Sequence, residues 1–425
     1  MTTPLSRRAL LGRAVAASGV AAAAATLAGS PAHAGSPAVA GVGAGPARRS
    51  SRPRRAADPA TRVLVVIEMP GGNDGMSTVV PFGHPGYYDL RSSTAIPAAD
   101  VLRIDEQVGL HPNLKRISGL RPAVIQGVGS SKPDGSHFEM MRRWWAGDPL
   151  SADLYDTGWI GRVADAIGDP ASAAVAVSIG SGAHPILRSK KAATLALPSA
   201  EAAKAVADPK ADDAGLRAFQ RGLKTLTTGT RQGPLEQVRS SMAAAVHFAE
   251  TLHSLGDRST AYPDGELGAA LGFTRQLIGL DAGVRLVHVP MSGDFDTHEN
   301  HSGRHPALMA ALDAAVGAFA DDLDANGLAD RVLIMTTSEF GRTAAENGSG
   351  GLDHGTASAH LLVGPVIAGL HGQHPSLTER DANNDLVATM NLDQYLGSVV
   401  EGWLGVPASE VFANRPATIG GLIQP

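Results

Sequence analysis

The 425-residue sequence contains no cysteine. That absence excludes disulfide bonds, thiolate zinc sites, iron–sulfur clusters and cysteine nucleophiles. The sequence also has no Gly-x-Ser-x-Gly segment, so nothing supports a metal-free serine hydrolase, which ranks below the two functions considered at the end of this section. Charged residues make up 18% and hydrophobic residues 43%, a balance typical of a globular protein and not of a disordered or fibrous one.

Positive charge is scarce beyond the first 62 residues. Nine of the 36 basic residues and only one of the 41 acidic residues precede residue 63, so the remainder carries a formal charge of −13. A body this acidic repels the phosphate backbone of nucleic acids. We therefore expect no nucleic-acid partner.

The N-terminus has the pattern of an export signal. A twin-arginine motif, SRRALL at 6–11, precedes an apolar run at 14–27, and Ala-His-Ala at 32–34 offers a cleavage site. We predict a signal peptide over residues 1–34, export by the twin-arginine translocase, and a secreted or cell-envelope location. The run is too short and too weakly apolar for a stable transmembrane anchor. Because this route carries folded proteins, often loaded with a metal or cofactor, it favours a metal site.

Residues 35–61 are rich in Gly, Ala, Pro and Arg and lack apolar periodicity, which predicts a flexible basic linker. The segment SRPRR at 51–55 matches the Ser-x-Pro-x-Arg pattern from which some sulfatases make formylglycine. A catalytic serine needs a rigid frame, so we interpret this match in a linker as a coincidence.

Residues 62–425 alternate apolar, Val/Ile-rich runs with helical patterns, which predicts an α/β domain with a doubly wound, mostly parallel sheet. The predicted strands cover 63–69, 123–128, 173–179, 284–289, 331–337 and 360–366, and the predicted helices cover 136–145, 265–280, 306–326 and 392–404. A helical insertion is expected near 199–280. In such sheets ligands bind outside the carboxyl ends of the strands, so the polar residues that follow each strand are the candidates for a site.

Two candidate segments follow the first two strands. After the first strand, PGGNDG at 70–75 presents Asp74 on a glycine-rich loop, as a cation ligand or as part of a tight turn. After the second, Ser136 and Glu139 have the spacing of a capping box. A hydroxyl at a helix N-terminus also faces N–H groups that stabilise an anion, so Ser136, activated by a metal or by His137, is the candidate nucleophile.

The segment after the strand at 284–289 is the richest in metal-ligand types. It contains Asp294, Asp296 and His298, with His301 and His305 close behind. Carboxylate oxygen with imidazole nitrogen is the ligand mix expected for zinc, manganese or iron. The alternative is a polar loop that caps the next helix, and we favour the metal site.

The segment after the strand at 331–337 adds four more candidates. Glu339 stands at the strand end as a metal ligand, and Arg342 offers a planar fork for a phosphate, sulfate or carboxylate, or else pairs with Glu339 to hold the loop. Asp353 and His354 form either a pair of ligands or a ligand with the residue that orients it.

These motifs, in this order, resemble the bacterial family called domain of unknown function 1501, over about residue 62 to the C-terminus. They are GGND at 71–74, SHF at 136–138, DTH at 296–298, SEFGR at 338–342 and DHG at 353–355. That family is grouped with the alkaline phosphatase and sulfatase superfamily, which implies an alkaline-phosphatase-like sheet. By this resemblance Asp74 is the ligand after the first strand and Ser136 the nucleophile. Asp294 to His298 keeps the superfamily's Asp-x-x-x-His spacing, although the family's own pattern indicates Asp296 with His298.

The sequence departs from the superfamily at one ligand. Where its phosphatases have Asp-His, this chain has Glu339 and Phe340, so one histidine of the second metal position is missing. The missing histidine implies a site for a single metal ion. The alternative is a harder ion, calcium or magnesium, beside Asp74 and Glu339.

The sequence thus predicts an exported, metal-dependent hydrolase of phosphate or related sulfate esters, dependent on zinc, manganese, calcium or magnesium. Ser136 or a metal-bound water would attack, and Arg342 would neutralise developing charge. The substrate would be a small anionic ester. The alternative is a catalytically silent protein that binds an anionic envelope polymer in the same pocket.

Overall fold

The computed structural model describes residues 55–151, 156–168, 174–197 and 262–424, with isolated positions between 172 and 239. The predicted signal peptide, most of the predicted linker and most of the predicted helical insertion lie outside the described residues. The last residues of the predicted linker are described. They include a 3-10 helix at Pro59–Thr61, and the amide of Ala57 donates to the carbonyl of Asp330, 2.9 Å away.

Nine of the twelve described strands form one main sheet, in the order β11-β5-β10-β9-β1-β8-β6-β7, with β12 paired to β5. All pairs in it are parallel except those of β10, which runs antiparallel to β5 and β9. The predicted doubly wound, mostly parallel sheet is therefore confirmed. The strands are β1 Val63–Glu68, β2 Val79–Val80, β3 Leu102–Arg103, β4 Gly109–Leu110, β5 Ala123–Gly129, β6 Ala176–Ile179, β7 Thr194–Leu197, β8 Leu286–Pro290, β9 Val332–Thr337, β10 Ser358–Val363, β11 Gly369–His371 and β12 Met390–Asn391.

Helices cover both faces of this sheet. Along β1, Val65 and Ile67 face one hydrophobic cluster while Leu64 and Val66 face another, because successive side chains of a strand point to opposite faces. Burying each such side chain contributes about 1.5–3 kcal/mol. The helices are α1 Gly75–Thr78, α2 Pro85–Leu90, α3 Lys115–Gly119, α4 His137–Ala146, α5 Trp159–Ile167, α6 Glu266–Gly279, α7 His301–Ala325, α8 Leu392–Val399 and α9 Ala408–Val411.

The two layers differ in the helices that form them. Side chains of α6 and α7 belong to the first cluster, and side chains of α4, α5, α8 and α9 belong to the second. The second layer brings the N-terminus of α4 to the edge of the sheet where the parallel strands end. Ser136 caps α4, and Gly147, with φ of 67°, ends it.

The largest difference from the predicted elements is the start of α7. The sequence predicts a helix from Pro306, since proline favours the first turn, but α7 begins at His301 and contains Pro306. Tertiary contacts hold the additional turn, because the buried His301 bonds Thr297 Oγ1 (2.8 Å) and Ser77 Oγ (3.0 Å). The predicted closing helix also changes at residue 400 to a π-helical segment, Val400–Leu404.

Candidate metal centre

Three histidines surround one carboxylate at the carboxyl edge of the sheet. Asp296 and His298 follow β8, His354 follows β9, and His137 is the first residue of α4. The Nε2 atoms of His298 and His354 lie 3.0 and 3.2 Å from Asp296 Oδ1, and His137 Nε2 lies 3.6 Å from Oδ2. One ligand atom each of His137, Asp296 and His354 lies within 4.8 Å of the other two. The segments after β8, after β9 and at the start of α4 thus meet at one edge of the sheet.

The opposite nitrogen of each ring faces an oxygen acceptor. Nδ1 of His137 lies 2.7 Å from Glu339 Oε1, Nδ1 of His298 lies 2.8 Å from Asp353 Oδ1, and Nδ1 of His354 lies 2.6 Å from the carbonyl of Gly135. These contacts assign the proton of each neutral ring to Nδ1, so the Nε2 lone pairs point at the Asp296 carboxylate. Lone pairs and a carboxylate repel each other unless a cation or protons lie between them.

Arg342 holds Asp296 from the protein interior. Its side chain is fully buried, and its Nη2 donates to Asp296 Oδ1 at 2.6 Å. Its nitrogens also donate to the carbonyls of Gly71, Gly72, Leu352 and Phe295. The guanidinium therefore fixes the Asp296 segment. It is not exposed to the solvent from which a substrate would arrive, and it does not pair with Glu339.

A charged partner shifts the pKa of Asp296 and of His137. Burial raises the pKa of Asp296, but the hydrogen bond and charge of Arg342 outweigh burial and lower this pKa overall. The hydrogen bond with Glu339 raises the pKa of His137, against a smaller opposing effect of burial. Arg342 therefore favours the ionised form of Asp296, and Glu339 favours the protonated form of His137.

The glycine-rich loop after β1 packs directly under this cluster. Gly71 has φ of 107°, a conformation that favours glycine, and a Cβ there would lie 2.6 Å from the amide of Asp296. The amide of Gly71 also donates to Glu339 Oε1 at 2.8 Å. The loop thus orients Glu339, which in turn orients His137.

An open cleft of about 280 Å³ adjoins the cluster at His137 and Asp296. It is lined by Pro70, Gly71, His137, Met141, Gly293, Asp294, Asp296 and Glu339. A small ester could therefore reach the cluster from solvent.

The remaining predicted residues after β8 and at α4 lie at the border of the cluster. Asp294 is 67% exposed, accepts a bond from the amide of Asp296 (2.9 Å) and pairs with Arg304 (3.3 Å). The structure therefore places Asp296, and not Asp294, at the centre. Ser136 directly precedes His137, and its hydroxyl accepts a long 3.4 Å bond from the amide of Glu139.

Asp74 is not part of the cluster. Its carboxylate is 1% exposed and accepts bonds from both terminal nitrogens of Arg91, at 2.5 and 2.9 Å. It also caps α1 by accepting from the amides of Met76 and Ser77. Burial raises the pKa of Asp74, but the charge and hydrogen bonds of Arg91 outweigh burial and lower it far below its usual value. The structure thus gives Asp74 a charged partner other than a metal.

The donor set of the cluster fits a transition-metal ion. Two or three imidazole nitrogens and one carboxylate oxygen are ligands that zinc and manganese accept. Calcium and magnesium prefer oxygen ligands, and the oxygens of Asp74 are bound to Arg91. Glu339 and Asp353, predicted as ligands, contact the Nδ1 atoms of two histidines, the position of residues that orient metal-bound imidazoles.

The described residues include one further group that could hold a metal ion, namely Glu68, His184 and His288. The sequence patterns did not indicate this group, because Glu68 and His288 lie within apolar runs and His184 belongs to none of the candidate motifs. The available signal was a charged or imidazole side chain inside an otherwise aliphatic run.

None of the helices that the structure describes is both long enough and apolar enough to cross a membrane.

The fold and the cluster define an α/β protein with a candidate metal centre at the carboxyl edge of its sheet. The chain belongs to the family described as "Protein of unknown function (DUF1501)", which matches residues 122–397. The matched region includes His137, Asp296, His298, Glu339 and His354 but not β1 or Asp74. The predicted family is therefore confirmed. No curated protein matches the chain.

Solved structures similar to this chain include a sulfatase, a lipoteichoic acid synthase and a periplasmic domain in complex with Zn. The PsFucS1 sulfatase from Pseudoalteromonas sp. shares 11% identity with a TM-score of 0.35, covering 86% of this chain and 73% of its own. The lipoteichoic acid synthase LtaP from Listeria monocytogenes shares 9% identity with a TM-score of 0.40, covering 85% and 76%. The C-terminal periplasmic domain of EcEptC from Escherichia coli, in complex with Zn, shares 10% identity with a TM-score of 0.40, covering 85% and 92%.

Proposed function

We propose that this protein is an exported, metal-dependent hydrolase of phosphate or related sulfate esters. One observation carries the proposal: three imidazoles present their Nε2 atoms to the Asp296 carboxylate beside an open cleft. Three protonated histidines at such short range would repel one another, whereas one divalent ion satisfies all of them. The twin-arginine leader of the sequence supports the export.

The residues of the chain divide into those that would hold the ion and those that would orient them. His137, Asp296 and His354 would bind it, with His298 alongside. Glu339 and Asp353 keep two of the rings in the required tautomer. Arg342 fixes the carboxylate, and we assign it this positioning role instead of direct contact with the substrate. A bound ion would supply Lewis-acid polarisation of an ester oxygen.

Ser136 is the candidate nucleophile. It stands at the N-terminus of the ten-residue helix α4, where the first N–H groups have no partner inside the helix and attract an anionic group. Among the described residues, its hydroxyl accepts one hydrogen bond, the long bond from the amide of Glu139, so it can turn towards the cleft. The neighbouring His137 supports the placement of a reacting group here.

The proposal is tested by activity and metal content measured together. Purified protein is loaded with zinc or manganese and assayed with an aryl phosphate, an aryl phosphodiester and an aryl sulfate. We expect turnover of at least one ester, and we expect Asp296→Asn to reduce it by more than about 100-fold, the upper range for loss of an orienting residue. His371→Ala on the distant strand β11 is the matched control and should change neither activity nor metal content.

Two results would count against the proposal. A wild-type protein that binds no divalent ion has no metal centre of this kind. A protein that binds the ion and polyanions saturably, yet turns over none of the three esters, is the binding protein of the alternative interpretation. Ser136→Ala separates the nucleophile from the helix cap: unchanged activity with a loss of about 0.5–2 kcal/mol of stability would leave only the cap.

A further inference from the structure

A second group of ligand-type side chains shares no residue with the candidate metal centre. Glu68 ends β1, His288 lies within β8, and His184 follows β6. One ligand atom of each residue lies within 4.8 Å of the other two. These three strands are neighbours in the sheet, which is why residues far apart in the sequence meet here.

The three ligand atoms face one another. His288 Nε2 lies 2.6 Å from Glu68 Oε2, and His184 Nε2 lies 3.7 Å from the same oxygen. The centroids of the two imidazole rings are 4.5 Å apart. His288 is fully buried and Glu68 nearly so, while the His184 side chain is 13% exposed. The group therefore lies just below the surface, and His184 is its outermost member.

Two further contacts fix how the inner ligands present their atoms. Trp145 Nε1 donates to Glu68 Oε1 at 3.0 Å, which leaves Oε2 directed at the imidazoles. Ser178 Oγ lies 2.9 Å from His288 Nδ1 and 2.7 Å from Ser181 Oγ. When a metal replaces the 2.6 Å contact between His288 Nε2 and Glu68, Ser178 Oγ can accept a hydrogen bond from the Nδ1–H of His288 and donate its own to Ser181 Oγ, which leaves the Nε2 lone pair to the metal. This is the contact pattern that orients metal-bound histidines.

Charge in this buried group also favours a cation. Among the described residues, the polar side chains that face the Glu68 carboxylate are Trp145, His184 and His288, and none of them is a lysine or an arginine. A buried carboxylate that stays ionised needs a positive partner. Metal binding through Nε2 of His184 places the ring proton on Nδ1, which breaks the bond that Nδ1 accepts from the amide of Ile186. That bond is long at 3.4 Å, so its loss costs little.

We propose that Glu68, His184 and His288 bind a divalent transition-metal ion, with zinc as the best match. Two imidazole nitrogens and one carboxylate oxygen form a three-ligand set with a fourth position for solvent or an anion. Metal–ligand distances of about 2.1 Å at tetrahedral angles separate ligand atoms by about 3.4 Å. Binding therefore requires the 2.6 Å contact of His288 with Glu68 to open by less than 1 Å. The proposal does not depend on the function of the first centre.

Metal stoichiometry tests the proposal. The full chain is stripped with a chelator and reloaded with Zn²⁺, unbound metal is removed, and zinc per chain is measured by mass spectrometry. We expect two ions for the wild type, one for His184→Ala, one for His288→Gln and one for Asp296→Asn. The double variant His184→Ala with Asp296→Asn should retain none, and the control His371→Ala should retain two.

The outcomes separate the two centres. If His184→Ala loses an ion and Asp296→Asn does not, the second site stands and the first fails. Identical zinc content in the wild type, His184→Ala and His288→Gln overturns the second site. Because His288 is fully buried, the folding of each variant is checked by circular dichroism. Should His288→Gln misfold, the zinc content of His184→Ala alone decides the test. Cobalt substitution adds a second readout. The visible absorption of cobalt-loaded His184→Ala should be weaker than that of the cobalt-loaded wild type, and an unchanged spectrum contradicts the site.

Discussion

The buried ion pair of Asp74 with Arg91 yields the sharpest prediction, because sequence patterns indicate a metal ligand where the structure has a salt bridge. Arg91 is fully buried and donates to both carboxylate oxygens, at 2.5 and 2.9 Å, and to the carbonyls of Thr343 and Ala344. Arg91→Met would leave a buried, unpaired carboxylate. We expect it to lower the free energy of unfolding by about 3–5 kcal/mol.

Asp74→Asn distinguishes the two roles of this residue. Asparagine can still cap α1, but it leaves the Arg91 guanidinium without its counter-charge, so we expect a similar loss of stability with unchanged metal content. The double variant should be more stable than the sum of the single losses predicts, by on the order of 2 kcal/mol. The assays are urea denaturation at pH 7 and zinc content of the same preparations.

Asp281→Asn is the matched control. The Asp281 side chain is 78% exposed and pairs with Arg331 at 2.8 Å, so its loss should change the unfolding free energy by at most about 1 kcal/mol. Loss of metal from Asp74→Asn, with a stability within this range of the wild type, would show that Asp74 is a metal ligand and not the partner of a salt bridge. Strict additivity of the two single variants would equally contradict a direct pair.

Two further predictions concern the orienting residues and the buried histidines. Glu339→Gln should weaken zinc binding by about 10–100-fold while preserving the fold, because it perturbs the contact that sets the His137 tautomer; chelator competition measures this, and unchanged affinity contradicts the orienting role. Burial lowers the pKa of His111 and of His301 to about 4. Because the unfolded chain binds these protons at a higher pH, the contribution of these two histidines to stability should be constant above about pH 6.5 and fall towards pH 4, by on the order of 3 kcal/mol per histidine. Denaturation midpoints at pH 7 and pH 4.5 check this, and equal midpoints would refute it.

The order of the main elements was readable from local patterns. Aliphatic runs of six or seven residues predicted β1, β5 and β9 to within one residue at each end, because a strand covered on both faces needs apolar side chains at every position. The same patterns could not show that β10 runs antiparallel between β5 and β9, since strand direction depends on how the connecting chain crosses the sheet.

The composition of the first centre was also largely predictable, but its division of roles was not. Polar residues after parallel strands collect at one edge, so Asp296, His298 and His354 were found together. Whether Glu339 binds an ion or holds His137 depends on which atom of the neighbouring ring it faces. That is decided by the loop at Gly71 and the position of α4, not by residue type.

Residue types and their periodicity along the chain determined six strands of the main sheet, four helices and the edge at which a site forms. Only the tertiary structure decided partners: Arg91 for Asp74, Asp296 for Arg342, and the meeting of Glu68 with His184 and His288. The physical reason is the distance along the chain over which each feature is set. Burial patterns repeat over two to four residues and are visible locally, whereas the charge and hydrogen-bond partner of a buried group is chosen among residues that packing brings within about 3 Å.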